Sequence, residues 1–269
     1  MSIKTSMTRI TIDLNKSVEE NASIYYDKAK KAKKKLEGAR ETIIRYEEKL
    51  SKIEKEKPKE EIKEKSKKLV KKEWYENFRW FYSSEGFLVI GGRDAVTNEI
   101  VIKKHTEKED IVFHTDMSGS PFFVVKTEKK KPSKATMQEV ADSTCSFSKA
   151  WKLGLVTQSV FYVTPEQVTK TPNPGEYLGR GAFMIKGKTN YINNKINLAV
   201  GMYKEKIICA PIEAIKKNCK EFMKIEQGRD KPSDVAKIIK KNLGGEIDDI
   251  IRALPSGGIT ALPLQKSKV

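Results

Sequence analysis

The chain has 269 residues, of which 38% are hydrophobic and 33% charged, a balance that allows one sizeable core with an elongated or highly solvated appendage. A formal net charge of +17 and a pI near 9.5 favour nucleic acid, an anionic membrane or an acidic partner over a small neutral substrate. No apolar run reaches the roughly 18 residues of a membrane-spanning helix and the N-terminus lacks the apolar core of a signal peptide, so a soluble cytoplasmic protein is expected.

The first predicted element is a long helix. Ser17 followed by Glu20 is a capping-box pattern. Val18, Ala22, Tyr25, Ala29, Ala32, Leu36, Ala39, Ile43, Tyr46, Leu50 and Ile53 then alternate in steps of four and three, the seam of a coiled coil. Lys and Glu fill the other faces, and Pro58 ends the helix. In the following segment, from Lys59 to Lys72, only Ile62 and Leu69 are clear seam candidates. At 1.5 Å per residue the first helix spans on the order of 54 Å and a return helix roughly 21 Å, so the return cannot cover the seam. The arm pairs with another copy, with another polypeptide, or at its far end with a larger assembly. Residues 1–72 are assigned to this arm and 73–269 to a globular domain.

From Trp74 the pattern changes to short strands between turn signals. "FRWFYSSEGFLVIGG" reads as a hairpin, "DIVFHTD" and "PFFVVKT" as a second, joined through Met117 to Ser120. Residues 133–152 have helical spacing with Ser133 as N-cap. "QSVFYVTPEQVTK", "AFMIKGKTNYINN", "NLAVGMYK" and "KIICAPIEAIKK" follow as strands, with a Pro-Asn-Pro-Gly turn at 172–175, and "KPSDVAKIIKKNLG" and "EIDDIIRAL" close the chain as helices. The predicted class is α+β with a largely antiparallel sheet.

Candidate chemistry is sparse. Cys145, Cys209 and Cys219 form no C-x-x-C pair, and His105 and His114 are the only imidazoles, which argues against structural zinc and a disulfide framework; no metal or cofactor is expected. At Gly91-Gly92 a strand runs through glycines into a helix, but G-x-G-x-x-G is absent. Two readings stay open: backbone N–H groups and Arg93 gripping a phosphate, or a turn with Arg93 paired to Asp94 or Glu99. His114 with Asp116, Ser118 or Ser120 invites a triad, but nothing fixes that geometry; a hydrogen-bonded histidine or an RNA contact are the rivals. Arg180, Lys186, Lys188 and Tyr191 mix cation and aromatic in a way suited to RNA backbone and unpaired bases, while Tyr177, Phe183 and Tyr191 also read as core.

"WYENFRWFYSSEGFLVIGGRDAVTNEIVIKKH", "DIVFHTDMSGSPFFVVKT", "AWKLG" and "PGEYLGRGAFMIKGKTNYI", in this order, closely resemble the RNA-binding domain of the NFACT proteins, also known as NEMF or fibronectin-binding protein A homologues, which are ribosome-quality-control factors. "DLNKSVEENASIYYDKAKKAKKKLEGA" is similar to the start of that family's coiled coil, and the match has an archaeal flavour. The resemblance implies binding to a large ribosomal subunit carrying obstructed peptidyl-tRNA, and recruitment of tRNA for untemplated C-terminal tailing in which the ribosome supplies the chemistry. It implies RNA-facing sites at Gly91, Gly92, Arg93, Asp94 and Asn98, at His114, Asp116, Gly119 and Ser120, and at Arg180, Lys186 and Lys188, with no catalytic residue. Typical members place another NFACT domain and a helix-hairpin-helix module before the coil, where this chain begins. A separate N-terminal half, self-association through the coil, or a fragment are the expectations. The alternative class is a coiled-coil adaptor or adhesin-like binder without ribosome affinity. A hydrolase lacks paired carboxylates or a metal cluster at recognisable spacing.

Overall fold

The computed structural model describes residues 11–56, 72–172 and 178–267 and divides into two units, Met1–Val70 and Lys71–Val269. Pro58, the return segment to residue 71, the turn beyond Pro172 and Tyr177 lie outside the described residues, as do the side chains of Leu50 and Ile53.

In the first unit α1 (Val18–Glu56) is one helix of 39 residues. Its capping box forms: Ser17 N–H donates to Glu20 Oε2 at 2.8 Å, and Glu20 N–H donates to Ser17 Oγ at 3.2 Å. The preceding residues lie against its first turns. Asn21 accepts from Asp13 N–H at 2.8 Å and donates to the Asp13 carbonyl at 2.9 Å, and the Tyr25 hydroxyl bonds both the N–H and the carbonyl of Thr11. Tyr25, assigned to the seam, therefore has its polar end engaged locally. Further along, Leu36 is 52% and Ile43 56% exposed within this chain.

The second unit runs through β1 (Arg79–Tyr82), β2 (Leu88–Gly91), α2 (Ala95–Lys104), β3 (Ile111–Thr115), β4 (Phe123–Lys126), α3 (Lys134–Ser146), α4 (Lys149–Leu153), β5 (Val160–Val163), β6 (Val168–Thr169), β7 (Met184–Ile185) and β8 (Asn190–Ile192). It continues through β9 (Leu198–Tyr203), β10 (Lys206–Ala210), α5 (Ile212–Asn218), β11 (Glu221–Asp230), α6 (Pro232–Leu243), α7 (Ile247–Ala253) and β12 (Ile259–Lys266). Six strands pair in the order β1-β2-β4-β3-β5-β8 and four in the order β10-β9-β11-β12, with β6-β7 a separate ribbon. Every pairing is antiparallel, as the α+β reading expects.

Period-two alternation divides the strand residues between two buried layers. Val89, Phe113 and Phe123 face α3 and the second sheet, while Ile90, Val112 and Val124 face the layer that includes Val101 of α2. A third cluster joins the far side of the smaller sheet to α6, α7 and Trp151. Both faces of the large sheet are covered, which is why β2 to β4 read as continuous apolar runs rather than alternating ones.

Four elements differ from expectation. The helix over 133–152 is two helices, because Ser148 stops the first by donating to the Cys145 carbonyl and caps the second by accepting from Ala150 N–H at 3.0 Å. "KIICAPIEAIKK" is strand only to Ala210; Pro211 precedes α5. Strands β11 and β12 were not anticipated, and the chain closes on a strand rather than on helices. Pro263 disguises β12, and its place at the sheet edge is where a proline is tolerated.

Cys145, Cys209 and Cys219 are free and buried, and burial pushes each thiol up to about 12. The native chain at pH 8 should leave all three unreactive toward a small aromatic disulfide reagent and the unfolded chain should react at all three; rapid native labelling of any would contradict this packing.

Candidate nucleic-acid interface

The end of β2 turns into α2 through Gly91 and Gly92. Both glycines are required by packing: a Cβ on Gly91 would overlap the Phe123 ring, and one on Gly92 would fall on Oδ1 of Asn98. Of the two open readings, the turn is the one the backbone bonds favour: Gly92 N–H donates to the Phe122 carbonyl at 3.0 Å and the N–H groups of Arg93 and Asp94 donate to Thr97 Oγ1 at 2.8 and 2.9 Å. Asp94 caps α2, accepting from Thr97 N–H at 2.8 Å, and these bonds hold its carboxyl below the usual range.

Arg93 forms no ion pair with Asp94 or Glu99 among the described residues. Its Nη2 donates to the Phe78 carbonyl at 2.7 Å, fixing the turn that leads into β1. Glu99 instead pairs with Lys103 at 2.6 Å and Lys170 at 3.6 Å and accepts from Gly181 N–H at 3.3 Å. The Lys103 hydrogen bond is the main reason its carboxyl is lowered to about 2. The Gly181 N–H to Glu99 bond docks the 178–183 loop against α2. Gly181, at φ +76°, leaves no room for a Cβ beside Ala95.

Asn98 is buried, and its amide joins three segments. Nδ2 donates to the Ser120 carbonyl at 3.2 Å, and Oδ1 accepts from Phe122 N–H at 3.1 Å beside Gly92. The same Ser120 carbonyl accepts from His114 Nε2 at 3.2 Å, which places the ring proton on that nitrogen. The His114 ring stacks on Phe122 at 4.0 Å, and burial holds its pKa below the usual imidazole value, so it is neutral at pH 7. The Ser120 hydroxyl donates to the Met117 carbonyl at 2.8 Å and accepts from Thr115, while Asp116 faces Tyr191 Oη at 3.3 Å. His114, Asp116 and Ser120 do not form a triad.

Around this joint lies a cavity of about 430 Å³. It brings together Gly92, Arg93, Asp94, Asn98, His114, Gly119, Ser120 and Arg180 of the expected site residues. Gly91, packed against Phe123, and Asp116, Lys186 and Lys188 are outside its lining; the carbonyls of both lysines accept from Gln167 Nε2. Sequence reasoning missed Arg79, Lys149 and Lys152, which also line it. Ser148, by capping α4, sets Lys149 and Lys152 one turn apart on its rim. Gly119, at φ +79°, passes close to the Lys149 side chain. Five cationic side chains thus surround the cavity against the single carboxylate of Asp94, and Lys149, Lys152 and Arg180 are exposed. Such an arrangement takes an anion. Among the described residues no group of three or more His, Cys, Asp or Glu side chains is placed to hold a metal ion.

Residues 77–187 match the profile of the NFACT protein RNA binding domain. The archaeal Rqc2 homolog aRqcH of Methanocaldococcus jannaschii is 44% identical over 202 residues, 71% of this chain and 30% of that protein. The human ribosome quality control complex subunit NEMF is 37% identical over 177 residues, 64% of this chain and 16% of its own. The chain thus spans less than a third of either relative. Among solved structures, the C-terminal part of the fibronectin/fibrinogen-binding protein of Streptococcus suis aligns at 18% identity and a TM-score of 0.37, over 43% of this chain and 44% of its own, a likeness too slight to argue from.

If Asn98 and Gly92 are the joint, Gly92→Ala and Asn98→Ala should each lower the unfolding free energy in urea by about 2–4 kcal/mol, through overlap in one case and unpaired buried groups in the other. Gly179→Ala, which meets nothing within 4 Å, should be near neutral. Equal stability of the Gly92 and Gly179 variants would contradict the packing.

Proposed function

The chain belongs to the NFACT family through its RNA-binding domain, and from that premise we propose that it is an RNA-binding component of ribosome-associated quality control in the cytoplasm. In this reading it binds the large ribosomal subunit and tRNA where peptidyl-tRNA is obstructed, and supports untemplated C-terminal tailing of the stalled chain. It is not itself an enzyme, because the ribosome supplies peptidyl transfer. The observation that carries the reading is the cavity with five cations and one carboxylate, within the residues that match an RNA-binding domain. The names of the relatives, a ribosome quality control subunit among them, supply the process.

Binding driven by arginine and lysine, with His114 neutral, depends on salt and little on pH between 7 and 8. The exposed seam residues Leu36 and Ile43 suit a protein partner for the arm, which adds to the RNA contact rather than competing with it. That partner is a second copy or a separate N-terminal NFACT half.

Co-sedimentation with purified large subunits, with and without peptidyl-tRNA, tests this. Lys149→Glu, Lys152→Glu and Arg180→Glu combined should weaken retention at least tenfold and lower the salt dependence, by about 2 in log–log slope if each cation meets one phosphate. Arg93 is left intact because it holds the Phe78 carbonyl. Retention of the triple variant at wild-type level would contradict the reading.

A further inference from the structure

A neighbouring space lies on the other side of Arg79 and Arg93. A second cavity of about 440 Å³, reaching Asn77, Thr97 and Arg252, shares Arg79, Arg93, Asp94 and Ser256 with the first. The two guanidiniums stand at the divide between the two spaces. Both are fastened by main-chain carbonyls: Arg79 Nη1 donates to those of Ala253 and Leu254 at 3.1 and 3.2 Å, and Arg93 Nη2 to that of Phe78 at 2.7 Å. Arg79 also lies over the Phe147 ring at 4.2 Å. These contacts orient the charges without cancelling them.

Among the described residues, neither guanidinium has a carboxylate within 4 Å, although eight or more lysines elsewhere do. Nε and Nη1 of Arg93 are buried without a hydrogen-bond partner. Burial pushes the Arg79 pKa down to about 10, with the Arg93 charge adding to the shift, and burial followed by the Arg252 charge lowers that of Arg93. Neither charge is closed into an ion pair among the described residues, and the carboxylates of Asp249 and Asp94 act on Arg93 only from beyond 4 Å.

The shape selects among anions. Each cavity falls within the ~300–1,000 Å³ of pockets that enclose a small ligand, and a duplex, whose phosphates lie on a convex surface, cannot enter either. The first cavity is also lined by the partly exposed rings of His114 and Phe183, aromatic surface beside the cations of the kind that unpaired bases contact. Resting on the reading of this domain as RNA-binding, we propose that the joined cavities are a track for unpaired RNA. One phosphodiester crosses the Arg79–Arg93 divide, with Lys149, Lys152 and Arg180 at one mouth and Arg252 at the other.

The test is competition for a fluorescent uridine hexamer on the full chain, using uridine monophosphate, a uridine trinucleotide, the hexamer and an RNA duplex of 12 base pairs. Arg252 is exposed and lines the second cavity alone, so Arg252→Gln addresses the far end without touching the divide. The trinucleotide should bind at least tenfold more tightly than the monophosphate, the duplex at least tenfold more weakly than the hexamer. Arg252→Gln should remove most of the trinucleotide's advantage and spare the monophosphate. A duplex equal to the hexamer, or an undiminished trinucleotide in the variant, overturns the track. If ribosome retention still requires Lys149, Lys152 and Arg180 in that case, the broader RNA-binding reading survives; absence of all RNA binding removes both.

Discussion

The side-chain amide of Asn98 is the joint on which the candidate interface depends. One planar group ties the first turns of α2 to the β3–β4 turn by donating to Ser120 and accepting from Phe122. It can do so only because Gly92 has no side chain. A buried amide left half satisfied costs more than its bonds return, so the three segments hold one relative position or none. His114 donates into the same Ser120 carbonyl, and its ring becomes a wall of the cavity. The geometry of the site is therefore inherited from a buried hydrogen-bond network rather than from its charged residues.

The cations divide into two groups by what already occupies them. Arg79 and Arg93 are held by carbonyls, and their charge is a fixed field in a partly enclosed place. Lys149, Lys152 and Arg180 are exposed, with no carboxylate among the described residues close enough to pair, and are free to follow a ligand. A lysine whose carboxylate is already in place behaves differently: Lys126 is 10% exposed and bound to Asp110, itself 2% exposed, at 2.5 Å, so it serves the fold. Net charge counts these three kinds alike, which is why a total of +17 indicates a class of partner but not a surface.

Much of the fold was legible because its signals are local. Ser17 and Glu20 cap α1 as their spacing requires, and the two hairpins follow from apolar runs divided by turn residues. What was not legible depends on distant partners. Gly91 and Gly92 read equally as a turn or an anion nest until Phe123 and Asn98 occupy the space a Cβ needs. Arg79 lies inside "FRWFY", read only as one strand of a hairpin, and its orientation depends on the Ala253 and Leu254 carbonyls, more than 170 residues on. Lys152 lies in a stretch quoted for its resemblance and Lys149 just before it, but their direction depends on the helix break at Ser148. Lys186 and Lys188 are near in sequence to Arg180, yet the turn bonded to Gln167 sets them apart from it.

In the proposed function, the basic cavity between α2, α4 and the 178–183 loop is where this chain meets RNA. Photocrosslinking of the full chain to 4-thiouridine-containing RNA, with adducts located by mass spectrometry, addresses it most directly. Adducts are expected on peptides carrying Gly119, Lys149 to Lys152 and Arg180. Adducts confined to the lysines of the arm, or to α6, with those peptides unmodified, would contradict it.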